Sequence, residues 1–143
     1  MLRLDPAALR KALDQLEQAV HDHARWHDDL IRSIVCRLPC DPNDLDEKAH
    51  RQCRFGQWYY EQAPVELWEQ PAFVAIEAEH KRLHQVAAHM LREATTGVPV
   101  SREDYDELII GGERLRLELD SLRHAIAGSL RDRDALTGAC SRV

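Results

Sequence analysis

The sequence predicts an all-α protein, an antiparallel four-helix bundle whose last helix is long. Glycine and proline are scarce, with six of each in 143 residues, and no segment shows the alternating pattern of a β-strand. Apolar residues instead recur at intervals of three and four along four long segments, which places them on one face of an α-helix. Short turns containing proline or glycine separate these segments, an arrangement typical of a helical bundle.

The first two helices are predicted over residues 6–38 and 44–62. Asp5 is a suitable N-cap, and Pro6 suits the first helical position because its ring already holds a helical φ angle. Pro39 disfavours the helical conformation in the residue before it, so we expect the first helix to end there.

The third helix is predicted over residues 72–95 and ends before Gly97 and Pro99. The last helix is predicted over residues 101–133, with Ser101 as its N-cap and carboxylates in its first turn. At 1.5 Å per residue it would be roughly 50 Å long. That length exceeds what a small bundle needs, so we expect its C-terminal half to lead toward another domain.

Composition excludes several classes of function. The chain has 25 acidic and 19 basic residues, a net charge of −6, and the basic residues are dispersed, so we expect no nucleic-acid partner. No apolar run approaches the roughly 18 residues of a membrane span, and the N-terminus lacks the apolar stretch of a signal peptide. We therefore expect a cytoplasmic protein without a membrane partner. In such a chain the four cysteines are interpreted as free thiols or metal ligands: Cys36, Cys40, Cys53 and Cys140.

Several of the eight histidines have the spacing of metal ligands. His80 and His84, four residues apart, lie on one face of the predicted third helix and can share an ion, although two solvated polar residues show the same spacing. Cys53 adds a thiol near Gly56 in the second helix. A glycine inside a helix costs up to about 1 kcal/mol against alanine, and close approach of a neighbouring helix would explain it. The first helix offers three candidates for a fourth ligand: His21, His23 and His27.

Three features follow one another along the chain: His23 with Trp26, the string Cys53-x-Phe55-Gly56-x-Trp58-Tyr59, and the pair His80-x-x-x-His84. In order and spacing they resemble the chemoreceptor zinc-binding (CZB) domain over about residues 10–130. The resemblance implies a homodimer and one zinc ion (Zn²⁺) per chain, bound by His23, Cys53, His80 and His84. The choice of His23 over the other first-helix histidines rests on the register of that family.

Three neutral imidazoles and one thiolate suit tetrahedral zinc, with Zn–N near 2.0–2.1 Å and Zn–S near 2.3 Å. Four protein ligands leave no position for a substrate, so we expect a structural or sensing ion and not hydrolytic catalysis. Each histidine should donate its other ring N–H to a carboxylate or a carbonyl. Asp22, Asp29 and Glu77 are the candidate carboxylates.

Two other interpretations remain open. Glu47-x-x-His50 and Glu77-x-x-His80 are the paired motif of ferritin-like di-iron bundles, which would also need carboxylates such as Glu17 and Glu118. Alternatively, the chain is a metal-free dimerisation module.

Three other histidines show no partner at metal spacing, and Cys36 and Cys40 are expected to be unpaired thiols. These histidines are His50, His89 and His124.

The end of the chain carries a further motif, Asp134-x-Leu136-Thr137-Gly138. With Arg142 four residues after the glycine, it resembles the opening signature of the GGDEF (diguanylate cyclase) domain, although Ala139 and Ser141 depart from the usual residues. The resemblance implies a CZB-like sensor domain over residues 1–133 and the start of a truncated GGDEF domain over residues 134–143.

The two resemblances together imply a sensor that allosterically controls the chain's own C-terminal GGDEF domain, which would convert GTP to cyclic di-GMP. They also imply that the zinc-bound state is inhibitory. The chain itself has no Gly-Gly-Asp/Glu-Glu-Phe motif, so we expect it to have no cyclase activity. Oxidation of Cys53 would remove one ligand and is a second conceivable input.

Overall fold

A computed structural model describes residues 2–141, with side chains as far as Leu136. These residues form helices and turns without any strand, which confirms the predicted all-α class. There are three long helices and two short ones: α1 Pro6–Val35, α2 Ala49–Gln52, α3 Arg54–Gln57, α4 Pro71–Thr95 and α5 Arg102–Ser141.

Both ends of α1 are determined by local hydrogen bonds. The Asp5 carboxylate accepts from the N–H of Ala8 at 2.9 Å, as predicted for an N-cap. The helix ends at Val35, three residues before the predicted position, because Arg37 adopts a left-handed conformation with φ 53°. The N–H of Leu38 then bonds the carbonyl of Ser33 at 2.9 Å, completing a Schellman motif.

The prediction of one continuous helix over residues 44–62 is wrong. The segment contains a 3₁₀ turn at Pro42–Leu45, then α2, α3 and a π-helical turn at Trp58–Gln62. The break between α2 and α3 falls at Cys53, which is extended, with φ −67° and ψ 160°. The apolar periodicity continues across this break because both short helices face the same core, so periodicity alone could not reveal it.

The core lies between the three long helices, and α5 packs against both α1 and α4. Its most deeply buried side chains are Leu9, Leu16, Leu67, Ile76, Met90, Leu108, Leu115, Leu119, Leu122 and Ile126. Leu2 also joins α5, because its N–H donates to Ser129 Oγ at 3.3 Å and its carbonyl accepts from Arg133 at 2.6 Å. Short helices occupy the place in the sequence where a fourth long helix was predicted.

The last helix is longer than predicted, with 40 residues and a length of about 60 Å. Within its described part, α5 exposes four large apolar side chains: Ile109, Ile110, Leu117 and Leu136. Residues 134–141 continue α5, but the side chains of the GGDEF-like motif from Thr137 onward lie outside the described residues. Within the described part of the chain, no helix is long and apolar enough to cross a membrane.

Candidate metal centre

His23, Cys53, His80 and His84 come together from three parts of the chain: α1, the junction of α2 with α3, and α4. One ligand atom of each lies within 4.8 Å of those of the other three. His80 Nε2 is 3.1 Å from His23 Nε2 and 3.4 Å from Cys53 Sγ. Ligand atoms around tetrahedral zinc are about 3.3–3.6 Å apart, given its usual bond lengths. The spacing of the cluster therefore suits a small tetrahedral metal ion.

The three imidazoles owe their positions to helix geometry. His80 and His84 lie one turn apart on the buried face of α4, with 2% and 5% of their surfaces exposed. His23 Nδ1–H donates to the carbonyl of Ala19 at 2.9 Å, one turn earlier in α1. This bond holds the ring and leaves Nε2 with its lone pair directed at the cluster. A backbone carbonyl thus fills the role predicted for a carboxylate or carbonyl partner.

The thiol owes its position to the break between α2 and α3. Cys53 is the N-cap of α3, and its Sγ accepts from the N–H of Gly56 at 3.4 Å. A Cβ atom added at Gly56 would lie only 1.9 Å from the carbonyl oxygen of His50. Glycine at this position therefore permits the close approach of α2 to α3, in agreement with the expectation that a neighbouring helix packs closely there. Gly56 lies in the first turn of a short helix and not inside a long one.

Aromatic rings enclose the cluster. The Phe55 ring meets His80 edge to face, with centroids 5.2 Å apart, and the Trp26 ring lies 4.6 Å from that of His84. Trp26 is held from the other side, since its indole N–H donates to Asp44 Oδ1 at 3.3 Å. Such an apolar surround limits the access of water and strengthens the interaction between an ion and its ligands.

Burial sets the protonation states of the cluster. It lowers the pKa of His84 to about 3 and the pKa of His80 well below its usual value, with a further contribution from His23 in both cases. Burial also lowers the pKa of His23, although the bond to Ala19 opposes this. Burial raises the pKa of Cys53. At neutral pH the three imidazoles are consequently neutral and the thiol is protonated.

These protonation states predict the proton balance of metal binding. At pH 7 the neutral imidazoles have no proton to lose, whereas the Cys53 thiol must lose one to become a ligand. Calorimetric titration of the metal-free protein with zinc, in buffers of different ionisation enthalpy, should show release of about one proton per ion. Release of three or more protons would mean that the imidazoles are charged, and release of none would mean that the thiol is already ionised.

The ring nitrogens of His84 also indicate that the cluster fits a metal ion. Both ring nitrogens of His84 are buried and have no hydrogen-bond partner among the described residues. A buried polar group left without a partner costs about 1–3 kcal/mol. A bound cation would satisfy the nitrogen that faces the cluster.

The remaining candidate residues lie elsewhere. His21 is exposed, and His27 is half-buried in a groove between α1 and α5. His50 is buried beside the cluster, with its ring 6.2 Å from that of His80, but is not one of the four. Cys36 and Cys40 are free thiols, as expected.

The expected carboxylate partners also make other contacts. Glu77 accepts a hydrogen bond from the hydroxyl of Tyr60 at 3.3 Å, and Asp22 contacts Gln18 and Arg54, whereas Asp29 is exposed. Within the described residues, neither potential metal-binding group includes the carboxylates of the di-iron interpretation, which are Glu17, Glu47, Glu77 and Glu118.

Sequence reasoning missed a second group of potential ligands. His89 was expected to have no partner at metal spacing, but its Nε2 is 2.5 Å from Glu93 and 3.4 Å from Asp104. The expectation failed because Asp104 belongs to α5, and only the packing of α4 on α5 brings it near. His89 is exposed, so this group is an ion-pair network at the surface when the imidazole is charged.

The fold and the site define a helical domain with a partly buried three-histidine, one-cysteine cluster that could hold a metal ion. Residues 23–91 match the chemoreceptor zinc-binding domain family. Over these residues, just under half of its length, the chain is similar to a CZB domain.

A solved structure and a curated protein are also similar to this chain. A solved structure, the regulatory CZB domain of DgcZ, matches 83% of this chain and 98% of its own chain with a TM-score of 0.73 and 18% sequence identity, which shows a common fold. The diguanylate cyclase DgcZ of Escherichia coli (strain K12) is 24% identical over 76 residues, or 53% of this chain. The match spans 26% of that protein, about a quarter of its length.

Proposed function

We propose that this chain is a zinc-binding regulatory domain, with His23, Cys53, His80 and His84 as the four ligands of one Zn²⁺ ion. The observation that carries the proposal is the convergence of four ligand atoms within 4.8 Å, with His80 and His84 buried and His23 and Cys53 half-buried. The similarity to the CZB family supports zinc as the ion. With four protein ligands, the ion would supply a structural link between helices and not a catalytic position.

We further propose that the domain controls a diguanylate cyclase domain that follows α5. The similarity to DgcZ supports this, as does the GGDEF-like motif that begins at Asp134. In this proposal residues 1–133 are the sensor domain, residues 134–143 begin the cyclase domain, and α5 connects the two.

In this proposal, binding or release of the ion by His23 changes how α1 is attached to the rest of the domain. His23 is the only one of the four on α1, whereas the others lie on α4 and at the α2–α3 junction. When the ion is bound, His23 joins α1 to these elements. Without it, α1 keeps its apolar packing on α5 but loses this bond. We propose that the arrangement with His23 bound is the inhibitory one, and that α5 transmits the difference.

The proposed active unit is a homodimer, because joining two GTP molecules requires two cyclase domains to face each other. Support comes from α5, where Ile109, Ile110 and Leu117 share one exposed face at helical spacings of seven and eight. Exposed apolar side chains grouped in this way are typical of an interaction surface. A second copy of the chain is the proposed partner.

The regulatory proposal is tested in the full-length protein that contains a cyclase domain. Chelation of zinc should raise the rate of cyclic di-GMP synthesis, and His23→Ala should be active and no longer respond to the chelator. His124→Ala, which changes an exposed histidine, should respond like the wild type. A protein that binds one zinc per chain but has the same cyclase rate with and without it would contradict regulation while leaving the metal site intact.

A further inference from the structure

One side of the metal cluster opens into an acidic cavity. A space of about 200 Å³ lies between α1 and the α2–α3 segment, and His23, Cys53 and His84 line it. His84 is buried, and both of its ring nitrogens lack a partner among the described residues. This cavity therefore brings three of the four proposed ligands into contact with one continuous space.

The walls of this cavity are negatively charged. Asp22, Asp41 and Asp44 line it and Arg54 is its one cationic side chain, so three negative charges against one positive charge leave a net −2. Arg54 lies 3.7 Å from Asp22, which leaves Asp41 and Asp44 without a cation beside them in the described ion pairs. A divalent cation would be drawn toward such a surface.

A second cavity that reaches the cluster has the opposite charge. This larger cavity, about 580 Å³, is lined by His50 and His84 together with several charged side chains. Four are basic and two are acidic, a net charge of +2: Lys48, Arg51, Lys81, Arg92, Asp46 and Glu47. His84 thus lines both an acidic and a basic cavity, and a cation approaching through the basic one would be repelled.

Trp26 connects the acidic cavity with the cluster. Its ring lies 4.6 Å from that of His84, and its indole N–H donates to Asp44 Oδ1 at 3.3 Å. This hydrogen bond links the indole ring to the Asp44 carboxylate, while the rest of the ring packs against the core. Asp44 is half-buried, so its charge is less screened by solvent than that of an exposed aspartate.

We propose that the acidic cavity is the path by which a hydrated divalent cation reaches and leaves the cluster, with Asp41 and Asp44 attracting it and Trp26 as the movable cover. This inference rests on the proposed zinc site and adds to it a route and the residues that govern the rate of exchange. The basic cavity, which also reaches His84, would repel a cation and disfavours exchange through that opening.

The test separates the rate of zinc binding from its equilibrium. Asp44→Asn removes one negative charge while its side-chain oxygen can still accept the Trp26 hydrogen bond. Glu47→Gln is the matched control, because it removes the same charge three residues away, from the basic cavity. Zinc binding to the metal-free whole chain and zinc loss to a coloured chelator are followed by stopped-flow absorbance, and affinity is measured separately by competition.

Asp44→Asn should slow zinc binding about 5- to 20-fold at low ionic strength, and slow zinc loss by a similar factor, so that affinity changes less than about threefold. The effect on binding should shrink as salt is added, because salt screens the attraction. Glu47→Gln should leave both rates within about twofold of the wild type. Trp26→Phe, which removes the indole N–H, should accelerate both binding and loss.

Equal slowing by Asp44→Asn and Glu47→Gln, or no slowing by either, would overturn the proposed path. So would a large loss of affinity in Asp44→Asn with an unchanged rate of binding, because Asp44 would then stabilise the bound ion instead. Failure of the proposed zinc site itself would look different, since the wild type would then hold no zinc at equilibrium.

Discussion

Replacing Cys53 with serine should lower zinc affinity at least about 100-fold, a larger effect than the 10–100-fold typical of residues that only support a ligand. The thiolate is one of four proposed ligands, and a serine hydroxyl stays protonated at neutral pH and binds zinc poorly. Serine is preferable to alanine because its oxygen can still accept from the N–H of Gly56, so the cap of α3 is retained. Zinc per chain is measured by elemental analysis after gel filtration.

The matched control is Cys40→Ser, which changes a half-buried free thiol outside the cluster. It should retain about one zinc per chain, with wild-type helicity by circular dichroism. His84→Ala should behave like Cys53→Ser. Retention of a full equivalent of zinc by Cys53→Ser would exclude Cys53 as a ligand, and two irons per wild-type chain would favour the di-iron interpretation.

Replacing Gly56 with alanine should destabilise the folded protein by at least about 3 kcal/mol, the upper end of ordinary overpacking effects. The added Cβ would lie 1.9 Å from the His50 carbonyl oxygen and 2.9 Å from Arg51 Cα. Both are backbone atoms, so no side-chain rotation relieves the collision, and α2 and α3 must move apart. Because Cys53 lies between these helices, zinc affinity should fall as well. Urea denaturation of the metal-free protein measures the change in stability.

Gly112→Ala provides the matched control. Gly112 lies inside α5, and a Cβ added there would have nothing within 4 Å to meet among neighbouring atoms. Alanine is the better helix former, so this variant should be more stable by about 0.5–1 kcal/mol. Equal, small effects of the two substitutions would contradict the close approach of α2 and α3.

Local rules account for the parts of the fold that could be predicted from the sequence. Local capping determines the start of α1 at Asp5 and the end of α4 before Gly97. The helical repeat places His80 and His84, four residues apart, on one face. These features need no information from distant residues. The extended backbone of Cys53 and the short helices around it could not be predicted, since their apolar spacing resembles that of one continuous helix.

The candidate site likewise has features that the sequence predicts and features that depend on tertiary packing. The sequence by itself determined that the protein is all-helical, that His80 and His84 lie together, and that Cys53 belongs to a recognisable motif. Helical spacing left His21, His23 and His27 open and only the resemblance to a family favoured His23, whereas the tertiary structure places His23 beside the pair and shows that His84 lines both an acidic and a basic cavity. Helical spacing repeats every few residues and so leaves several registers open, whereas packing of α1 against the core selects one register and with it the charges around the cluster.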